Sequence, residues 1–322
     1  MHESNAFAPP TGPATFSGSA PRLRHVQAVA LMVVVTLMWS LAGVVSRHLE
    51  AARSFEVTFW RSGSNALALV LLLAWLRGPS PLLHTLRTGG RALWLSGLCW
   101  SVMFTAFMLA ITLTTVANVL VTMALAPLFT ALAARVLLKQ RLPLRTWLAV
   151  GAAGLGIGWM YGEQLAAGQA RHLLGTAVAL AVPLAAATNW TLLHHLRQRQ
   201  HQGGGVPDML PAVLLGAVLS ATMSLPLALP LQASAHDLGL LALLGTVQLA
   251  IPCLLAVAVA RVLPAPELAL LSLLEVLFGV LWAWWGAGEA PTGAVLGGGG
   301  LVLAALAGNE ALALRKARAE LR

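Results

Sequence analysis

From Val26 to Leu314 the chain alternates between apolar runs of about 20 residues and short polar or turn-forming stretches. Ten such runs are expected, at roughly 26–47, 55–76, 92–112, 116–138, 144–161, 173–195, 208–230, 238–259, 265–286 and 292–314. Each is long enough to span the hydrocarbon core of a bilayer, about 30 Å thick. Backbone N–H and C=O groups in lipid have no water to bond, so a spanning run must satisfy them within itself as a helix. Short alternating segments that would suggest a β-barrel are absent. The pattern predicts an all-α integral membrane protein with ten transmembrane helices.

The pattern also repeats. Pro264–Thr292 and Thr115–Pro143 align without a gap at an offset of 149, pairing Leu128 with Leu277, Phe129 with Phe278, Leu132 with Leu281 and Ala134 with Ala283. Each half then holds five helices. An odd number forces the second half into the membrane upside down relative to the first. Inverted repeats are a recurring plan of secondary transporters, with the solute site near the midplane between the halves. The expected organisation is a cytoplasmic tail at 1–24, repeats at 25–162 and 163–314, and a basic cytoplasmic tail at 315–322.

Composition changes this picture only in detail. The chain is 58% hydrophobic and 10% charged, which no ordinary soluble domain matches. The net charge of +9 does not signal nucleic acid, because the basic residues sit between apolar runs. With the N-terminus inside, 15 of the 20 Lys and Arg fall on the inner side and only Arg47, Arg53 and Arg171 on the outer. That asymmetry orients both termini toward the cytoplasm. The first 24 residues are rich in Pro, Ser, Gly and Ala, lack an apolar core, and read as disordered. Heavy use of Ala, Leu, Gly and Arg points to a GC-rich bacterial source, hence to the inner membrane.

Several chemistries lack their residues. Cys99 and Cys253 both lie in apolar runs, so neither a disulfide framework nor a metal site is expected. The nine His lie in tails, loops or helix ends, against a buried Ser-His protease, and no phosphate loop of the G-x-x-x-x-G-K type is present. No cofactor is expected.

The chain resembles the drug/metabolite transporter superfamily, specifically its ten-helix EamA-type exporters. The resemblance rests on Trp39-Ser40 in the first helix, Trp190 in the sixth, Arg61 early in the second, Ala117-Asn118 opening the fourth, Pro127, and the Gly288-Glu289 turn. The chain departs from the family's pattern at Lys139-Gln140-Arg141 and at Val276. Among the branches it is most similar to amino-acid exporters, and within those to the aromatic amino acid exporters. The resemblance implies export of amino acids or similar small metabolites by alternating access, around a cavity between helices one, three, four, six, eight and nine. An exporter or facilitator of drug-like or other metabolite solutes is the alternative, and an intramembrane enzyme a remote one.

Glu275 is the most informative single residue. A carboxylate within a span is costly and is a functional candidate by default, able to bind a solute amine or carry a coupling proton. Its bland reading is a packing contact to a hydroxyl or indole. Asn118, Thr122, Asn189 and Gln248 are polar cavity candidates; Trp39, Trp100, Phe104, Met123 and Trp190 are candidates for the wall of an apolar pocket. Interhelical hydrogen bonding and core packing are the competing readings of both sets. Arg61 is expected to snorkel to the outer interface or pair with Glu56. Glu267 is expected to favour the start of its helix through the helix dipole. Pro127, Pro183 and Pro252 are mid-span hinge candidates. Seven of the eleven Trp lie near helix ends as interface anchors. Gly151, Gly154, Gly156 and Gly158 of helix five and Gly293 and Gly297–Gly300 of helix ten predict a close helix–helix contact within one chain, compatible with a monomer.

Overall fold

The apolar runs all fold as helix. The computed structural model describes residues 25–138, 143–166, 168, 170–201, 209–259, 262–263 and 265–320, and among these no strand occurs. The helices are α1 (His25–Ser46), α2 (Ser54–Arg77), α3 (Pro79–Thr88), α4 (Gly90–Leu113), α5 (Val116–Met123), α6 (Ala126–Leu138) and α7 (Leu144–Ala166). They continue as α8 (Ala170–Ala179), α9 (Ala181–His201), α10 (Pro211–Ala228), α11 (Ala235–Leu243), α12 (Ile251–Val259), α13 (Ala265–Ala287) and α14 (Gly293–Glu320). A π-helical turn, Leu244–Ala250, joins α11 to α12. The tail at 1–24, the turn Lys139–Arg141, Arg261 and Asp208 lie outside the described residues.

Among the described residues, nine stretches are long and apolar enough to cross a membrane. The 23-residue α7 is not one of them. Its length suffices, but its glycines and polar ends hold its hydropathy down. The chain is thus an all-helical, multi-pass membrane protein.

Three expected single helices are divided, each just before a proline. The fourth run breaks at Ala124–Leu125, ahead of Pro127, and the sixth at Leu180, ahead of Pro183. In the eighth, the π-helical turn precedes Pro252. Proline has no N–H to donate and its ring collides with the carbonyl four residues back, so the regular ladder fails on its N-terminal side. One helix was not expected at all: α3 is short, with Pro79 at its start and Arg87 in its last turn. It lies between two spans, too brief to cross.

Packing pairs α1 with α13, α2 and α4 with α10, and α7 with α14. Further contacts put α4 on α8 and α9, α6 on α9, α2 on α11 and the π-helical turn, and α1 on α12 and the same turn. The α7–α14 crossing brings backbone against backbone. At Gly156 and Gly298 the two backbones touch, and a Cβ on either residue would run into the carbonyl oxygen of the other. The six-membered ring of Trp159 on α7 packs against Gly297. Of the glycines expected to let these helices approach, Gly156, Gly297 and Gly298 form that contact, Gly299 meets Val121 of α5 instead, and Gly151, Gly154, Gly158, Gly293 and Gly300 face open space. A second close approach seats Leu120 of α5 directly on Gly279 of α13. Beyond the break, α6 turns away to pack on α9 and α7.

The end of the bundle away from the chain termini (the distal end) is tied across the two halves by three carboxylates. Glu289, after α13, accepts from Arg47 Nε at 2.8 Å and from the Val116 backbone N–H at 2.6 Å. Arg47 also donates to the carbonyls of Ile111 and Thr114, each at 2.8 Å. Asp237 accepts from the backbone N–H groups of Glu50, Ala51 and Ala52 while forming a capping box with Ser234 at the start of α11. Glu56 accepts from the N–H groups of Gln232 and Ala233, both at 2.8 Å. At the opposite end, the described ties between halves are His25 to Glu267 at 2.9 Å and Thr146 to Asn309 at 3.1 Å.

Candidate functional site

Helix α2 is apolar over most of its length, yet its first half carries Arg61, Ser62 and Asn65. At 1.5 Å per residue Arg61 stands about 10 Å inside the helix start. It does not snorkel. The residue is only 2% exposed, which corrects the expectation that it reaches the outer interface. Nor does it pair with Glu56, whose carboxylate is taken by the Gln232–Ala233 backbone and, at 3.4 Å, by the Trp60 indole N–H. A side chain this long can lie inward or outward from the same backbone position, and here inward partners exist.

Those partners come from the far half of the chain. Arg61 Nε and Nη2 both donate to Gln248 Oε1, at 3.3 and 2.9 Å. Gln248 sits in the π-helical turn and donates in turn to the Trp39 carbonyl at 3.0 Å. The guanidinium lies over the Phe107 ring, 5.6 Å from its centroid. Gly245 lets the turn approach closely, since a Cβ there would collide with the α2 backbone at Arg61 and Asn65. Among the described residues Arg61 Nη1 has no hydrogen-bond partner, and Asn65, 0% exposed and one turn further on, has none for either amide atom.

Among the described residues no carboxylate lies within ion-pair distance of Arg61. Glu275, midway along α13, is partly buried and lies within electrostatic range of both Arg61 and Cys253. No hydrogen bond to its carboxylate is found among the described residues. Trp39, Trp100 and Phe104 pack together around the same apolar cluster as Cys253 and Leu249. The Trp100 and Phe104 rings stand 5.5 Å apart. On the other side of Arg61, Ser62, Ser220 and Thr105 form a hydroxyl chain with 2.9 Å links between α2, α10 and α4.

The remaining candidates lie elsewhere. Asn118 and Thr122 are buried on α5, where Asn118 Nδ2 donates to Thr114 Oγ1 at 3.0 Å and Thr122 Oγ1 to the Asn118 carbonyl. Met123 packs against the main core. Asn189 on α9 is fully buried and accepts from Ser96 Oγ at 2.6 Å. Trp190, expected to lie deep, is instead 48% exposed on the outside of α9. One residue separates it from the buried face, and a helix turns by about 100° over that step. Glu267 is in the first turn of α13 as expected, and also meets His25. The sequence reading missed Asn65. The available signal was its spacing four residues after Arg61, which puts both on one face of the helix.

Comparison with known proteins agrees with this architecture. Residues 26–162, the whole of the first expected repeat, match the model of the EamA-like transporter family. A solved crystal structure is similar over 91% of this chain and 98% of its own, with a TM-score of 0.55 and 18% identity, a likeness of fold alone. No curated protein matches. The family match covers less than half of the chain, and what it carries is the likeness of that segment to EamA-like transporters.

Proposed function

We propose that this multi-pass protein is a secondary transporter that exports amino acids, aromatic or large neutral ones first, across a bacterial inner membrane by alternating access. The observation that carries the reading is the polar cluster inside the bundle. Arg61, Asn65, Gln248 and Glu275 bring spare hydrogen-bonding capacity and opposite charges into the membrane beside the Trp39, Trp100 and Phe104 rings. Intramembrane ionisable groups are expensive and mark solute or proton paths.

The scaffold we propose has ten spans, with α7 as the fifth, in two inverted repeats at 25–162 and 163–314. The packing supports this through its partnerships. α1 on α13 has its counterpart in α9 on α6, and α4 on α10 has its counterpart in α2 on α11 with the π-helical turn. The pairs α2–α10 and α7–α14 map onto themselves. The distribution of Lys and Arg supports cytoplasmic termini, so that the distal end faces outward. The α7–α14 contact is made within one chain, which supports a monomer.

The test is uptake of labelled phenylalanine, tryptophan and leucine into proteoliposomes, with and without a proton gradient. Wild-type flux is expected to depend on the gradient, and Glu275→Gln to lower gradient-driven flux roughly tenfold or more while purifying as folded protein. Gradient-independent flux that survives in the variant would make the protein a facilitator and leave Glu275 a structural residue.

A further inference from the structure

We propose that Arg61 reads a carboxylate on the transported solute, and that Gln248 Oε1 holds that carboxylate's place in the present structure. The proposal rests on the transport reading above and assigns the residue that recognises the solute's carboxylate.

The geometry comes first. Guanidinium N–H groups form a fork that matches the two oxygens of a carboxylate, and paired charge-assisted bonds of this kind are stronger than neutral ones. Here Nε and Nη2 converge on one neutral amide oxygen, and Nη1 has no partner among the described residues. A buried cation gains little from such an arrangement, because an amide dipole offsets only part of its lost hydration. Asn65, unpaired at both amide atoms and one turn away on the same face, adds a donor and an acceptor beside the fork. Three buried polar atoms without a partner among the described residues give this site capacity for further hydrogen bonds.

The occupant of the fork is also placed to leave it. Gln248 lies within Leu244–Ala250, where the helix takes the wider π spacing ahead of Pro252. Single π turns inside helices are rare and concentrate at functional sites. A return to α spacing would rotate Gln248 about its helix and withdraw the amide from Arg61, freeing Nε and Nη2 together. Glu275 on α13 lies within electrostatic range of Arg61 and supplies the carboxylate for the ammonium end of an amino acid. Trp39, Trp100 and Phe104 supply the apolar wall for its side chain.

The experiment compares phenylalanine, phenylalanine amide and phenethylamine as competitors of labelled phenylalanine uptake by the full chain in proteoliposomes. Phenylalanine is expected to compete roughly tenfold or more better than either analogue, since both lack the carboxylate. Arg61→Lys keeps the charge without the fork and is expected to weaken phenylalanine by a similar factor while narrowing its margin over the amide. Gln248→Glu plants a carboxylate on the fork permanently, and is expected to block competition while the melting temperature holds or rises. That last variant separates a filled site from a misfolded chain. Equal competition by phenylalanine and its amide, unchanged in Arg61→Lys, overturns the proposal and leaves the transport reading standing. So does flux of a cationic dye with none for any carboxylate solute. Absence of flux for every solute sinks the transport reading, and the proposal with it.

Discussion

Glu289→Gln is expected to loosen the distal end and to cut transport by several-fold or more. One carboxylate here anchors three helix ends. Its two oxygens take Arg47 Nε and the Val116 N–H, so the turn after α13 holds the end of α1 and the start of α5. Arg47, fixed by that bond, spends its other nitrogens on the carbonyls that close α4. Glutamine keeps one acceptor oxygen and loses the charge. Charge-assisted bonds contribute about 1.5–3 kcal/mol and neutral ones about 0.5–1.5, so the change weakens the tie by roughly 1–3 kcal/mol. In a two-state equilibrium that is about 5–150-fold toward the form in which this end is open. Spin labels at His48 and Ala290 would report it as a longer distance population. Glu163→Gln, at the same end but with only a 3.4 Å contact from Thr292, is the control and should leave the distribution alone. An unchanged distance and wild-type transport in Glu289→Gln would remove the tie from the mechanism.

Gly298→Leu is expected to prevent stable folding, and Gly298→Ala to lower the melting temperature in detergent. The obstacle at this crossing is backbone. A Cβ on Gly298 meets the Gly156 carbonyl oxygen, which cannot rotate aside as a side-chain tip would. The helices must separate, and separation gives up the dispersion contacts that hold helices together in lipid. Overpacking by a single methyl costs about 1–3 kcal/mol, and a leucine adds a whole isopropyl group to the same gap. Gly300→Ala is the internal control. A Cβ there meets nothing within 4 Å, so the gain in helix propensity over glycine should leave stability equal or slightly higher. If Gly298→Ala melts at the wild-type temperature, the two backbones do not touch in the membrane.

How much of this was legible depends on the reach of the interaction concerned. Spans are local, because twenty or so apolar residues in a row need no partner to declare themselves, and the described helices other than α3 fall on the expected runs. The α7–α14 contact was readable because small residues permit close approach wherever the partner lies. The divided helices were half readable: Pro127, Pro183 and Pro252 were marked, but whether a proline kinks, breaks or widens a helix depends on what packs against the freed carbonyls. The helix α3 was hidden by its brevity. Arg61 was misread for a different reason. Its partner Gln248 lies 187 positions away, and nothing near residue 61 says whether the guanidinium turns in or out. The ties at Asp237 and Glu56 were invisible for the same reason, since each carboxylate binds backbone N–H groups that every sequence has.

The seat of Leu120 on Gly279 has a consequence for the other state of the proposed cycle. At the repeat offset of 149, Leu120 corresponds to Ala269 and Gly279 to Thr130. An inverted duplication that exchanges the roles of its halves must be able to make the exchanged contact, Ala269 against Thr130, near the end that carries the termini. Thr130 belongs to α6, which here is turned toward α9 and α7. On that scheme the break at Ala124–Leu125 is the pivot about which the chain trades one seal for its twin. The twin is the poorer joint. Ala269 brings a single methyl where Leu120 brings an isobutyl group, and Thr130 fills with its own side chain the hollow that Gly279 leaves open. Fewer apolar atoms then meet across the gap, and dispersion attraction falls with them. Unequal twins tilt an otherwise symmetric rocker, and the tilt favours the conformation sealed at the distal end.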